Sequence, residues 1–166
     1  MYLALISIFP LALAFAALSD LFTMLISNRV SMLLIAAFVP AALLSGMGWQ
    51  MLAWHVACGA VVLLVTFSLF AMGWIGGGDA KLTAAIALWM GFGHMLEYTV
   101  VASLLGGVLT IGLLGWRQVP MPAGLSKVGW AARLYDASSG VPYGIALGVA
   151  GILIFPNTEF VHALVA

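Results

Sequence analysis

Six apolar runs, each close to the length of a membrane-spanning helix, follow one another with little between them, at roughly 3–22, 30–46, 51–72, 80–93, 96–115 and 141–156. A spanning helix needs about 20 mostly apolar residues, with about 17 to 25 as the working range. Inside hydrocarbon every backbone N–H and C=O must find a partner within the protein, so such runs become helices. The fourth run is short and the sixth is interrupted early by Pro142; both are tolerated where a helix packs inside protein. Only 6% of the residues are charged, against about 25% in a soluble domain. The expected fold is therefore all-α: a polytopic membrane protein with six transmembrane helices, residues 1–166 forming a single membrane-embedded domain.

The first run has no basic residue ahead of its apolar segment, and the hydrophobic pattern returns after Asp20. It reads as a retained helix rather than a secretory signal. Five acids balance five bases, so the net charge offers nucleic acid no attraction, and the positions of the bases carry the information. With six spans the connections alternate between faces. Arg29 in the first connection, Lys81 at the third, and Arg117, Lys127 and Arg133 in the fifth then all share one face. By the positive-inside rule that face is cytoplasmic and both termini are non-cytoplasmic. The fifth connection also carries Leu125, Val128, Ala132 and Tyr135 at helical spacing, which predicts a short interfacial helix.

Against this background the acids stand out. An aspartate at the centre of a spanning helix costs about 2.5 to 3.5 kcal/mol on insertion scales, so acids in membrane helices face a cavity or a partner. Asp20 lies near the end of the first helix and Asp79 at the start of the fourth, and the topology sets both at the cytoplasmic face at similar depth. Two carboxylates in one site hold a single proton between them. The ionised member can take a proton from water while the protonated member polarises a carbonyl, a division of labour that calls for neither metal nor thiol. Beside Asp79 stand Gly76, Gly77 and Gly78, which permit positive φ and leave room for a substrate backbone to approach. Taken singly, Asp79 is equally a helix cap and Asp20 a solvated helix end, so the residues alone reach an intramembrane acid pair with hydrolytic potential.

The segment "GGGDAK", Gly76 to Lys81, resembles the GxGDxK signature of the type IV prepilin peptidases, which belong to the GxGD aspartic membrane proteases. Asp20 followed by Ile26, Ser27 and Asn28 is similar to that family's first-aspartate motif, an Asp followed by Ile-Pro-Asn, with Ser27 in place of the proline. "VPYGIALGVAG", Val141 to Gly151, resembles the block in which Pro-Tyr/Phe-Gly opens the family's last helix. The large cytoplasmic insert with paired CxxC motifs, carried by bifunctional members that also methylate the new N-terminus, is absent between the first two helices. The chain thus looks like the short form of the tight-adherence (Flp) pilus systems.

The resemblance implies an intramembrane aspartic endopeptidase of the bacterial inner membrane that needs no cofactor. Its substrate would be a prepilin or pseudopilin, cleaved after a short basic leader at the cytoplasmic face. Asp20 and Asp79 would be the catalytic pair, and Gly76, Gly77, Gly78, Lys81 and Asn28 would bind substrate or shape the site. Lys81 also reads as a cation that snorkels to the interface. A competing class is a small transporter that binds a cation or relays protons through Asp20 and Asp79. The nearly featureless second and third helices argue against it, since a transporter needs polar groups through the midplane. A non-catalytic assembly subunit is a third class.

The remaining polar residues suggest less. Cys58, alone, reads as a small apolar residue. His55, His94 and His162 fall toward the non-cytoplasmic face and read as interfacial or loop residues, with no metal site assigned, although His94 and Glu97 stand one turn apart. Six tryptophans, Trp89 among them, read as an aromatic belt. Asp136, in "YDASSG", reads as a turn residue.

Overall fold

A computed structural model describes residues 2–122 and 124–165. Among them the chain is helical throughout, with no strand: α1 Tyr2–Thr23, α2 Asn28–Leu44, α3 Trp49–Ala71, α4 Gly77–Trp116, α5 Gly129–Tyr135, α6 Tyr143–Ile154 and α7 Glu159–Val165. Three of these, α1 over Leu3–Thr23, α3 and α4, are long and apolar enough to cross a membrane. Two shorter apolar segments, Asn28–Leu44 and Tyr143–Asn157, accompany them. In the long connection, where a short helix was expected, stands α5, preceded by a 3-10 turn at Leu125–Lys127.

The junction expected at 93–95 between the fourth and fifth helices is corrected. Two helical limbs are present within the 40 residues of α4, but their junction lies at Gly91, where φ is 59° and ψ 179°. That combination is open essentially only to glycine. A straight helix of this length would extend about 60 Å, yet both ends of α4 reach one place. Asp79 and Thr83, near its start, line a cavity together with Gly140 and Tyr143. Near its end Arg117 donates to the Gly140 carbonyl at 2.7 Å, and the Thr110 hydroxyl lies 3.1 Å from that of Tyr143. The limb 92–116 therefore folds back beside the limb 77–90. Hydropathy alone put the reversal two residues late because nothing polar interrupts the run at Gly91.

The first limb of α4 carries the core of the molecule, and α3, α6 and α2 are the helices packed on α4. Leu82, Ile86 and Trp89 are completely buried. Trp89 donates from Nε1 to the Leu34 carbonyl of α2 at 3.0 Å, and its ring meets Phe9, Phe38, Phe155 and Phe160 at centroid distances of 5.1, 5.9, 6.1 and 4.9 Å. Trp89 thus belongs to the core, not to an interfacial belt. His55 is corrected in the same sense: it is 4% exposed, its Nδ1 lies 2.9 Å from the Leu88 carbonyl, and its ring occupies the space that a side chain at Gly91 would fill.

Helices α1 and α6 meet through glycine as well. A Cβ at Gly148 would stand 2.8 Å from the Leu13 carbonyl oxygen, so the backbones approach as small-residue faces allow. The outer surface carries Leu11, Phe15, Leu64, Phe67, Val108 and Ile111, each at least 59% exposed. An aqueous monomer rarely shows an apolar surface of that extent; lipid is the solvent that suits it.

Candidate active site

The two aspartates come from different helices and line one cavity of about 630 Å³. Asp20 sits on the last turn of α1, 5% exposed. Its Oδ2 accepts from the backbone N–H of Gly144 at 2.7 Å. Gly144 lies in the first turn of α6, where N–H groups lack intrahelical acceptors and the helix dipole presents its positive end. A Cβ at Gly144 would fall 2.8 Å from that same Oδ2 and 2.7 Å from Ile26 Cδ1, so only glycine lets the helix start reach the carboxylate. This gives the "VPYG" block its physical meaning.

Asp79 was expected as a cap residue. The structure gives the cap position to Gly76 and sets Asp79 in the first helical turn. From there its carboxylate reaches back to the Gly76 N–H, the arrangement by which an acid at the third helical position satisfies the cap amide. Asp79 is half-buried and stands near enough for the Asp20 charge to act on it. The start of α4 is also tied to α3, where the Thr66 hydroxyl donates to the Ala80 carbonyl at 3.2 Å.

The glycine triplet works differently from the expectation. None of Gly76, Gly77 and Gly78 has positive φ, so conformational freedom is not what they supply. Each instead removes a collision. A Cβ at Gly76 would meet Asp79 Oδ2 at 2.9 Å, one at Gly77 the Phe70 ring at 3.1 Å, and one at Gly78 the Cβ of Ile26 at 3.1 Å. Gly76 lines the cavity; the other two let α4 dock against α3 and against the segment that follows α1.

Lys81 and Asn28 lie elsewhere. Lys81 Nζ donates to Asn28 Oδ1 at 3.0 Å. Two residues along a helix turn about 200°, so Lys81 leaves α4 on the side away from Asp79, and neither it nor Asn28 lines the aspartate cavity. Ser27, in the place of the expected proline, caps α2 by accepting from the Arg29 N–H at 3.3 Å. Asp136 is exposed and accepts from the Ser138 N–H at 2.9 Å; that amide and the Ser138 hydroxyl hold its carboxyl below the usual carboxylate range. Among the described residues no three His, Cys, Asp or Glu side chains gather as metal ligands. His94 Nδ1 and Glu97 Oε2 stand 3.8 Å apart.

Several neighbours of the pair escaped the sequence reading. Thr83 follows Asp79 by one turn and lines the same cavity, which its i+4 spacing could have signalled. Tyr98, from the returning limb of α4, is buried beside Thr83 and gave no local signal. Met24, at φ 56°, follows α1 directly and lines the cavity, as do Gly73, Trp74 and Ile75. The Ser139–Val141 turn also lines the cavity and is held by Arg117, while Arg133 ties α5 to the Phe22 carbonyl at the end of α1 at 2.7 Å.

The model of the type IV leader peptidase family matches residues 7–111, a stretch that contains both Asp20 and Asp79. The chain belongs to that family. It is therefore an integral membrane protein of the leader-peptidase kind, and a protease. The matched region ends before α6, so the Gly144 contact lies outside it. Searches of curated proteins and of solved structures returned no match.

Proposed function

We propose that this leader peptidase is an aspartic endopeptidase of the bacterial inner membrane, with Asp20 and Asp79 as its catalytic pair. The observation that carries the proposal is their convergence: two acids from separate membrane helices line one cavity, one of them held by the start of a third helix. The substrate is a prepilin or pseudopilin of the Flp type, whose basic leader emerges at the cytoplasmic face while its apolar helix stays in the bilayer.

The chemistry follows from one shared proton. The ionised carboxylate takes a proton from a water in the cavity as that water attacks the scissile carbonyl, and the protonated carboxyl donates to the carbonyl oxygen. Collapse of the tetrahedral adduct breaks the C–N bond. The proton gained from water passes to the leaving amine, which becomes the mature N-terminus. Gly76, Thr83 and Tyr143 line the cavity beside the pair.

The membrane topology belongs to the same proposal. Helices α1, α2 and α3, the two limbs of α4, and α6 with the turn after it make six crossings. Arg29, Lys81, Arg117, Lys127 and Arg133 then share the cytoplasmic face with the cavity, and both termini lie on the other side. Co-expression with a Flp-type prepilin tests the function. The expected result is a membrane-retained pilin whose mass is lower by that of the leader; a prepilin recovered at full mass would count against the reading.

A further inference from the structure

Helices α2 and α3 are consecutive and joined by a short turn, yet they pack on α4 rather than on each other. A groove of about 590 Å³ is left between them, floored by Ala84 and Ala85 of α4. That size lies within the range of sites that hold small molecules, about 300–1,000 Å³. Its walls are apolar, with Ile35 on α2 and Ala60 on α3, and both residues are exposed. The groove uses the side of α4 that carries Lys81, whereas the aspartate cavity uses the side that carries Asp79.

Polarity is concentrated at one end. Lys81 and Asn28 line the groove there, bonded to each other at 3.0 Å. An ammonium has three donors, so two remain for another acceptor. Ser31, one turn along α2 from Asn28, lines the same groove; it is 6% exposed and its buried hydroxyl has no partner. A buried hydroxyl without a partner is costly. No acidic side chain lines the groove. A cation at the rim, a hydroxyl one turn deeper and an apolar trench beyond complement a phosphate, a glycerol ester and an acyl chain in that order.

We infer that this groove binds one anionic phospholipid, its phosphate on Lys81, an ester oxygen on Ser31 and an acyl chain between α2 and α3. A basic leader peptide is the wrong charge for the Lys81 end. The lysine beside the aspartate motif then serves the bilayer on one side of α4 while Asp79 faces the cavity on the other.

Native mass spectrometry of the delipidated full chain tests this, with dioleoyl phosphatidylglycerol and dioleoyl phosphatidylcholine added in equal amounts. The wild type should retain one lipid and prefer the glycerol lipid by about fivefold, the effect of one lysine near an anionic headgroup. Lys81→Gln should remove the preference but keep the lipid. Ala60→Phe and Ile35→Trp, which fill the trench from opposite walls, should each lose both lipids while the protein stays monodisperse. Equal retention of the two lipids by the wild type would overturn the inference, as would a preference that survives Lys81→Gln. A photo-crosslinker at Ala60 should capture lipid; capture of a prepilin or of a second copy of the chain would assign the groove to that occupant instead. None of these readouts depends on leader cleavage, so the inference and the proposed peptidase activity fail separately.

Discussion

At the residue scale the site depends on what glycine leaves out. Gly144 brings its amide to 2.7 Å from Asp20 Oδ2, and any Cβ there would overlap that oxygen and Ile26. Gly144→Ala should therefore lower stability by about 1–3 kcal/mol, the usual cost of overpacking, and should slow leader cleavage more than its folding defect explains. Thermal unfolding in detergent measured beside cleavage rate separates the two effects; a variant with normal cleavage would remove Gly144 from the site. The pair itself predicts a pH profile. At low pH both carboxyls are protonated and no base remains, and at high pH both are ionised and no donor remains. Activity should fall on both sides of an optimum, and a rate that only rises or only falls across the stable range would contradict a shared proton. The acids and the glycine triplet were legible because a charge is expensive in hydrocarbon. What Gly77 and Gly78 do was not, because their collisions are with Phe70 and Ile26, residues that the fold brings near.

At the scale of the element, α4 decides the architecture. Its two limbs turn at Gly91, whose backbone only glycine adopts readily and whose missing side chain gives room to the His55 ring. Gly91→Ala should cost about 1–3 kcal/mol from backbone strain alone, with the collision at 2.9 Å from His55 Nε2 added. His55→Ala carries its own loss, since it removes a buried ring bonded to the Leu88 carbonyl, but in the double variant the collision is gone, so the combined loss should be smaller than the sum of the two single losses. Thermal unfolding of the two single variants and the double variant measures this, and strictly additive losses would mean that His55 does not fill that space. Apolar run length revealed the helices but not their partners. Trp89 and Lys81 show the limit: both sit on α4 in an apolar setting, yet one is the centre of an aromatic core and the other leaves the helix away from Asp79. Hydropathy does not encode the direction in which a side chain points.

For the whole molecule, the proposed six-crossing arrangement requires the bases and the two aspartates to share one membrane face. Single cysteines at Arg29 and Lys127 should be labelled by an impermeant thiol reagent only from the cytoplasmic side, and those at Gly48 and Gly93 only from the other. Gly48 and Gly93 are open positions where an added side chain meets no neighbour, so the substitutions report topology rather than damage. Labelling of both groups from the same side would overturn the six-crossing arrangement. The long connection, with α5 and the Gly140 turn, is tied down beside the cavity through Arg117 and Arg133, an assembly that turn residues alone did not foretell. The central claim is that Asp20 and Asp79 together carry out the hydrolysis, and the most direct measurement is the intact mass of a Flp-type prepilin co-expressed with each variant. Asp20→Asn and Asp79→Asn should each leave the prepilin at full mass while the variant protein remains in the membrane, and Asp136→Asn should yield mature pilin. A mature pilin from either Asp20→Asn or Asp79→Asn would contradict the account.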